Sequence, residues 1–141
     1  MIEADAVPSG STALSAGLIP AAGTKIQKAA GIKDSTALFA ADIQAKAHQE
    51  NNQALVDLLA QNAAEVIDWL TQTHGLAFSL VDDFDYPGHS SRRMHGLPTR
   101  AGSELIDALR SAAERAGIDI ICGRRAETLY FADGLVHGVA A

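Results

Sequence analysis

The sequence predicts an α+β fold: three main helices packed on a small sheet that includes a C-terminal hairpin. Two patterns carry this reading. Apolar residues recur at helical spacing in three separate windows, and short apolar runs bounded by turn residues follow the last of them, two of these runs being separated by Asp133-Gly134.

The elements follow in order. Met1 to Thr24 is dense in Gly, Ser, Pro and Ala and predicts an extended strip lying on the surface, its small residues suited to close backbone packing. Asp34-Ser35-Thr36 reads as a helix start, because a Ser or Asp oxygen accepts from the free amides of a first turn. Leu38, Phe39, Ile43 and Ala47 then place one helix over about 35–48. Asn51-Asn52 caps the next, where Leu55, Leu58, Leu59, Ala63, Val66, Ile67 and Leu70 recur at helical spacing and Gly75 ends the run in a left-handed cap. Trp69 is expected in the core with Leu55, Leu58, Leu59, Val66 and Leu70. Leu76 to Val81 suggests a strand, 82–88 a turn-rich loop, and the chain to Arg100 irregular structure. Gly102 to Ala116 is the third helix, stopped by Gly117. Ile118–Cys122, Ala126–Phe131 and Leu135–Val139 read as short strands, the last two joined by Asp133-Gly134, where both residues tolerate positive φ.

Composition narrows the function. A chain of 141 residues has room for one sizeable core, and 48% hydrophobic with 20% charged residues excludes disorder and collagen-like structure. Aromatics are only 5%, so the core is built from Ala, Leu, Ile and Val on closely approaching helices. A net charge of −6 argues against binding a phosphate backbone, which needs a basic face. No apolar run approaches a membrane span, and Met1 is not followed by the basic and long apolar regions of a signal peptide. The expectation is a cytoplasmic chain that binds neither nucleic acid nor membrane. The single Cys122 excludes an internal disulfide and reads as a buried small hydrophobe.

Two places offer chemistry. Glu3 follows Ile2, and an acidic group at a strand end can accept two ribose hydroxyls. Pro8-Ser9-Gly10-Ser11-Thr12-Ala13-Leu14-Ser15-Ala16-Gly17 is a small-residue turn opening a helix, able to present amides and hydroxyls to phosphate or to act as a plain N-cap. Arg92-Arg93-Met94-His95-Gly96 is the second: Arg93 offers a donor fork for a carboxylate, and His95 exchanges a proton near neutral pH, which suits an anionic substrate. The alternative is a structural loop, with Arg93 paired to the Asp82-Asp83-Phe84-Asp85 run and His95 capping a carbonyl. His89 and His95, six residues apart without a third ligand, do not make a metal site. His48 and His74 sit near expected helix C-termini, where an imidazole suits the dipole.

The order of these motifs resembles the flavoproteins related to fumarate reductase and succinate dehydrogenase. The likeness runs from Glu3 through Ser11-Thr12-Ala13-Leu14-Ser15-Ala16-Gly17 and Ala21-Ala22-Gly23-Thr24 to Gln27, Gly31, Asp34-Ser35, Ile67-Asp68-Trp69-Leu70, the Arg93-Met94-His95 segment, Gly117-Ile118-Asp119-Ile120 and Val136-His137-Gly138-Val139. It implies an FAD-dependent oxidoreductase that moves a hydride between flavin and a C–C bond of a small acid or ketosteroid-like substrate. By the same resemblance Glu3 binds the adenosine ribose, and Gly10, Ser11, Thr12, Ser15, Ala16, Gly17 and Leu18 pass along the pyrophosphate and flavin. Arg93 and His95 face the substrate. Leu18 stands where the family often has glycine, so its side chain is expected to crowd the flavin. The resemblance implies two regions, a flavin-contacting strip over 1–24 and a substrate-closing capping domain over 25–141. In such proteins a Gly-x-Gly-x-x-Gly turn cradles the pyrophosphate; the 141 residues contain none, so this chain alone is expected neither to hold FAD nor to turn over. The competing reading is a standalone non-catalytic binding module.

Overall fold

A computed structural model describes residues 1–141. The elements are α1 (Gly10–Ala13), β1 (Ile19–Pro20), α2 (Lys25–Ala29), α3 (Thr36–Lys46), α4 (Gln53–Gln72), β2 (Ser79–Leu80), β3 (Met94–Gly96), α5 (Gly102–Arg115), β4 (Thr128–Ala132) and β5 (Leu135–Ala140). The fold is α+β as expected, with α3, α4 and α5 as its three long helices. The sheet is split in two: a three-stranded sheet ordered β1-β3-β2, and the β4-β5 hairpin on its own. Two compact units divide the chain, Ala16–Ala101 and Met1–Ser15 with Gly102–Ala141.

In the unit Ala16–Ala101 the helix starts follow their caps. Ser35 Oγ accepts from the Leu38 amide at 3.1 Å and Asn52 Oδ1 from the Leu55 amide at 3.3 Å. Gly75 takes φ +71 while the Leu76 amide reaches back to the Leu70 carbonyl, which closes α4 in the expected left-handed cap. The strand expected over Leu76–Val81 shrinks to Ser79–Leu80. The segment expected to be irregular contains the central strand: β3 pairs antiparallel with β1 through Ile19↔His95 and with β2 through Leu80↔His95.

The core face of α4 differs from the expected one. Val56, Ala60, Ala63, Ile67 and Leu70 face inward, whereas Leu55, Leu58, Leu59, Val66 and Trp69 are exposed, Trp69 by 51%. Of the expected core set only Leu70 is buried. Apolar residues cover two adjoining faces of this helix, and period alone does not choose between them. α3 packs against α4, with Ala60 beside Ala37 and Ala40, and the bulkier Leu and Trp side chains are left outside.

In the unit Met1–Ser15 with Gly102–Ala141, Ile2 forms a parallel bridge with Ile121. Flanking bonds run from the Glu3 amide to the Ile121 carbonyl at 2.9 Å and from the Arg124 amide to the Glu3 carbonyl at 2.8 Å. The N-terminal strip is therefore paired rather than simply laid on the surface. The strand expected at Ile118–Cys122 is reduced to this bridge, and Cys122 is half-buried, not a core residue, because the single bridge leaves this segment at the surface, with Ile118 and Ile121 46 and 53% exposed. α1 packs on the start of α5, the Gly102 amide donating to the Ser15 carbonyl at 2.8 Å. The hairpin turns at Asp133 and Gly134, both at positive φ. No helix is long and apolar enough to cross a membrane.

Candidate functional site

The residues of the N-terminal strip fall in both units. Glu3 is half-buried at the end of the paired segment, and its Oε1 accepts from the Asp5 amide at 2.9 Å. Gly10, Ser11 and Thr12 form the exposed first turn of α1, which opens at Gly10 with φ +62 and open space where a Cβ would stand. Ser9 makes no side-chain cap bond to this turn. Ser15 Oγ donates to the Thr12 carbonyl at 2.7 Å. In the other unit Ala16 is exposed, and Gly17 is buried at φ +61, a conformation that favours glycine. Leu18 is half-buried with its side chain turned onto Gly96: a Cβ there would stand 2.5 Å from Leu18 Cδ2.

β3 presents the Arg-Arg-Met-His-Gly segment differently from a loop. Strand alternation turns Arg92 outward and Arg93 inward, then His95 inward again. Arg93 and His95 are both fully buried. Arg93 Nε and Nη2 donate to the two oxygens of Asp34 at 2.9 and 3.0 Å, and Nη1 to Asp42 Oδ2 at 2.5 Å. The guanidinium also lies 4.8 Å from the Phe39 ring centroid. Asp42 accepts in addition from the Ser90 amide and hydroxyl. Burial opposes the charge on Asp42, but the Ser90 bonds and Arg93 outweigh it and hold the carboxyl below its usual range. Arg93 does not pair with the Asp82–Asp85 run; Arg92 takes Asp85 and Arg100 takes Asp83, both at the surface.

His95 sits between two partners. Nδ1 lies 2.9 Å from the Arg93 carbonyl, which can only accept, so Nδ1 carries the proton. Nε2 lies 2.9 Å from Thr24 Oγ1, and the hydroxyl therefore donates to it while accepting from the Gln27 amide at 3.0 Å. Burial pushes the imidazole below its ordinary range, opposed by the carbonyls of Arg93 and Ile19. The neutral tautomer suits this arrangement. Gln27 completes the hub: Nε2 donates to Asp34 and to the Arg92 carbonyl, and Oε1 accepts from the Gly23 amide. The sequence does not reveal Asp34 and Asp42 as partners of Arg93, nor Gln27 as the link from Asp34 to the Arg92 carbonyl. No local pattern signals them, since Asp34 and Asp42 lie 59 and 51 residues from Arg93.

An open cleft of about 300 Å³ lies along the outer side of this strand, among Val81, Phe84, Tyr86, His89, Arg92 and Met94. Arg92, side chain 41% exposed, is the cation that faces solvent here. No group of His, Cys, Asp and Glu is placed to hold a metal.

Comparison with known proteins places this chain. The family model of the FAD binding domain matches residues 1–141. Over 139 residues the chain is 34% identical to the probable fumarate reductase Ifc3 of Shewanella frigidimarina (strain NCIMB 400), covering 92% of this chain and 23% of that protein. It is 32% identical over 143 residues to the fumarate reductase (cytochrome) of Shewanella frigidimarina, covering 99% of this chain and 24% of the relative. The open conformation of a flavocytochrome c3 fumarate reductase superposes with a TM-score of 0.81 at 30% identity, over 99% of this chain and 26% of that one. The fold is shared with the 3-ketosteroid-Δ4-(5α)-dehydrogenase of Rhodococcus jostii RHA1, at a TM-score of 0.75 and 21% identity, over 98% of this chain and 35% of that one. The chain thus spans about a quarter of the length of the curated relatives it matches, and it belongs to the FAD-binding-domain family of fumarate reductase and succinate dehydrogenase flavoproteins.

Proposed function

We propose that this chain supplies the ribose- and flavin-contacting strip of an FAD-dependent oxidoreductase acting on a C–C bond of a small acid or ketosteroid-like substrate. The observation that carries the reading is the exposed, side-chain-uncapped turn at Gly10–Thr12 within a chain matched end to end by the FAD-binding-domain model. The residues present fit such a group. Glu3 keeps Oε2 to accept from a ribose hydroxyl while Oε1 is held by Asp5. Gly10, Ser11 and Thr12 offer amides and hydroxyls to phosphate oxygens. The Leu18 side chain turns toward Gly96, and in this reading it stands clear of the ring. Ser15 and Ala16 add small exposed side chains that admit close approach of a planar ring, and Gly17 takes the positive φ that turns the chain there.

When bound, FAD supplies the hydride chemistry; the share of this chain is to hold and orient it and to exclude water. Arg93 and His95 act on substrate through position in this reading. Their polar atoms are engaged inside the unit, so they fix β3 and present Arg92 on its outer side as the cation available to an anionic substrate. In this reading residues 25–141 are the substrate-closing capping domain. The match of the whole chain to the FAD-binding-domain model disfavours a standalone interaction module.

Titration of FAD into the isotope-labelled chain, followed by amide NMR, tests this proposal. Binding is expected in the millimolar range with fast exchange, because no Gly-x-Gly-x-x-Gly turn contributes, and purified protein should be colourless. Shifts should concentrate at Glu3, Gly10–Thr12 and Ser15–Leu18. Shifts confined to the Phe84–Arg92 cleft, or none at saturating FAD, would overturn it.

A further inference from the structure

We propose that Gln27 is a positioning residue for the cofactor: from inside the unit Ala16–Ala101 it ties the turn Ala21–Thr24 to β3 and so sets where Ala16, Gly17 and Leu18 stand. The inference rests on the reading of these three residues as flavin-contacting.

Gln27 lies in α2 and is wholly excluded from solvent. A buried amide is costly unless its acceptor and its donors are matched. Here they are matched from separate segments of the chain. The Gly23 N–H can only donate, so the amide oxygen Oε1 faces it, at 2.6 Å. The Arg92 carbonyl can only accept, and Nε2 reaches it at 2.7 Å and Asp34 Oδ2 at 3.0 Å. One planar group therefore joins the turn after β1, the residue before the α3 cap and the entry to β3. An ionised glutamate in this place would bring no donor for the Arg92 carbonyl and would set a second carboxylate against Asp34.

The tie controls how the strip enters the unit. Ala16 is exposed, Leu18, Ile19 and Pro20 are half-buried, and Ala21 and Ala22 are buried, so the chain passes inward from solvent along β1. β1 has two residues, paired through Ile19↔His95 and Pro20↔Met94, and Pro20 has no amide to donate. The Ala21 amide continues the pairing by donating to the Arg93 carbonyl at 2.9 Å. Gly23 follows at φ +87, the softest point of the turn because glycine loses most freedom on being fixed. Gln27 Oε1 holds that point. Thr24 Oγ1, bonded to His95 Nε2 and to the Gln27 amide, holds the next residue. With the turn fixed at both, the strip ahead of it is set before a ring arrives, which lowers the ordering cost of binding. Because the same side chain holds the Arg92 carbonyl, the strip and Arg92 keep a fixed relation within the unit.

FAD titration followed by amide NMR, on the wild-type chain and on Gln27→Met and Ile67→Val, tests the proposal. Met fills the volume of Gln but makes none of its side-chain bonds. Ile67, fully buried in α4 and no part of the tie, is the control for lost stability alone. In Gln27→Met the FAD-induced shifts of Ala16–Leu18 should be lost while those of Glu3 and Gly10–Thr12, in the other unit, persist. Ile67→Val should keep both sets. Shifts at Ala16–Leu18 as large in Gln27→Met as in the wild type would overturn the proposal and leave the cofactor reading standing. Loss of the same shifts in Ile67→Val would also overturn it, since stability alone would then account for the effect. A wild type without shifts at Ala16–Leu18 would overturn the cofactor reading itself, and the positioning role with it. Hydrogen exchange of the wild type gives a check that needs no variant: the Gly23 amide should be protected like the core amides of α4, and free exchange there would refute the tie.

Discussion

Leu18 and Gly96 are in direct contact across the β1-β3 pairing, and a Cβ at Gly96 would stand 2.5 Å from Leu18 Cδ2. The clash would fall on the far end of a side chain that can rotate. Gly96→Ala is therefore expected to cost about 1 kcal/mol rather than to unfold the unit. Leu18→Ala removes the obstacle, so the two substitutions should couple by about 1 kcal/mol in a double-mutant cycle measured by urea denaturation. Strict additivity would show that Leu18 does not lie on Gly96 in solution.

Gly102 makes a harder contact. A Cβ there would come within 1.7 Å of the Thr12 carbonyl oxygen, which is backbone and cannot turn aside. Gly102→Ala should force α1 off the start of α5 at a cost of about 3 kcal/mol. Amide exchange would register it most directly: the Gly102 amide, bonded to the Ser15 carbonyl, should lose protection while the α4 amides of the other unit keep theirs.

Arg93 is held by two carboxylates inside the unit Ala16–Ala101, its side chain and that of Asp34 fully buried and that of Asp42 11% exposed. Arg93→Ala leaves both carboxylates without their counter-charge and should destabilise by about 3–5 kcal/mol. A loop reading of the same residue expects a loss within about 0.5 kcal/mol. Arg93→Lys keeps the charge but not the fork that engages Asp34 with two donors, so its denaturation midpoint should fall between those of wild type and Arg93→Ala. Arg92→Ala, one residue away but at the surface, should leave the midpoint near wild type. Equal midpoints for Arg93→Ala and Arg92→Ala would refute the buried-pair assignment.

The contrast between Arg92 and Arg93 shows what a sequence carries and what it hides. Capping chemistry is local, and Ser35, Asn52, Gly75 and Asp133-Gly134 stand where side-chain acceptors and positive φ placed them. The long helices were legible because 3.6-residue periodicity is also local. Which face of α4 turns inward was not, since Ile67 and Trp69 are both apolar and the choice depends on the approach of α3 to Ala60. β3 was missed because three residues, Met94–Gly96, are too few to display alternation, and its partners lie far off in the chain. The hub around Arg93 depends on pairings between segments that no short-range pattern encodes.

The pH dependence of stability follows from His95. Burial lowers its pKa below the ordinary 6.5, so in the folded unit the ring stays neutral where the unfolded chain has begun to bind a proton. The unfolded state therefore takes up more protons as pH falls below about 6.5, and stability should be complete above that value and decline beneath it. His89, lowered by burial and by Arg93, pulls in the same direction. Asp42, Asp83 and Asp85 lie below their ordinary 3.8 and add a separate loss only as pH falls through that more acidic range. His95→Asn keeps a donor near the Nδ1 position for the Arg93 carbonyl but cannot titrate. It should be less stable than wild type at pH 7, having lost the Thr24 bond, yet show a shallower decline between pH 6.5 and 5. The double variant with His89→Gln should be shallower still. Urea midpoints across that interval measure both slopes, and a His95→Asn decline as steep as wild type would place the titrating group elsewhere than at this imidazole.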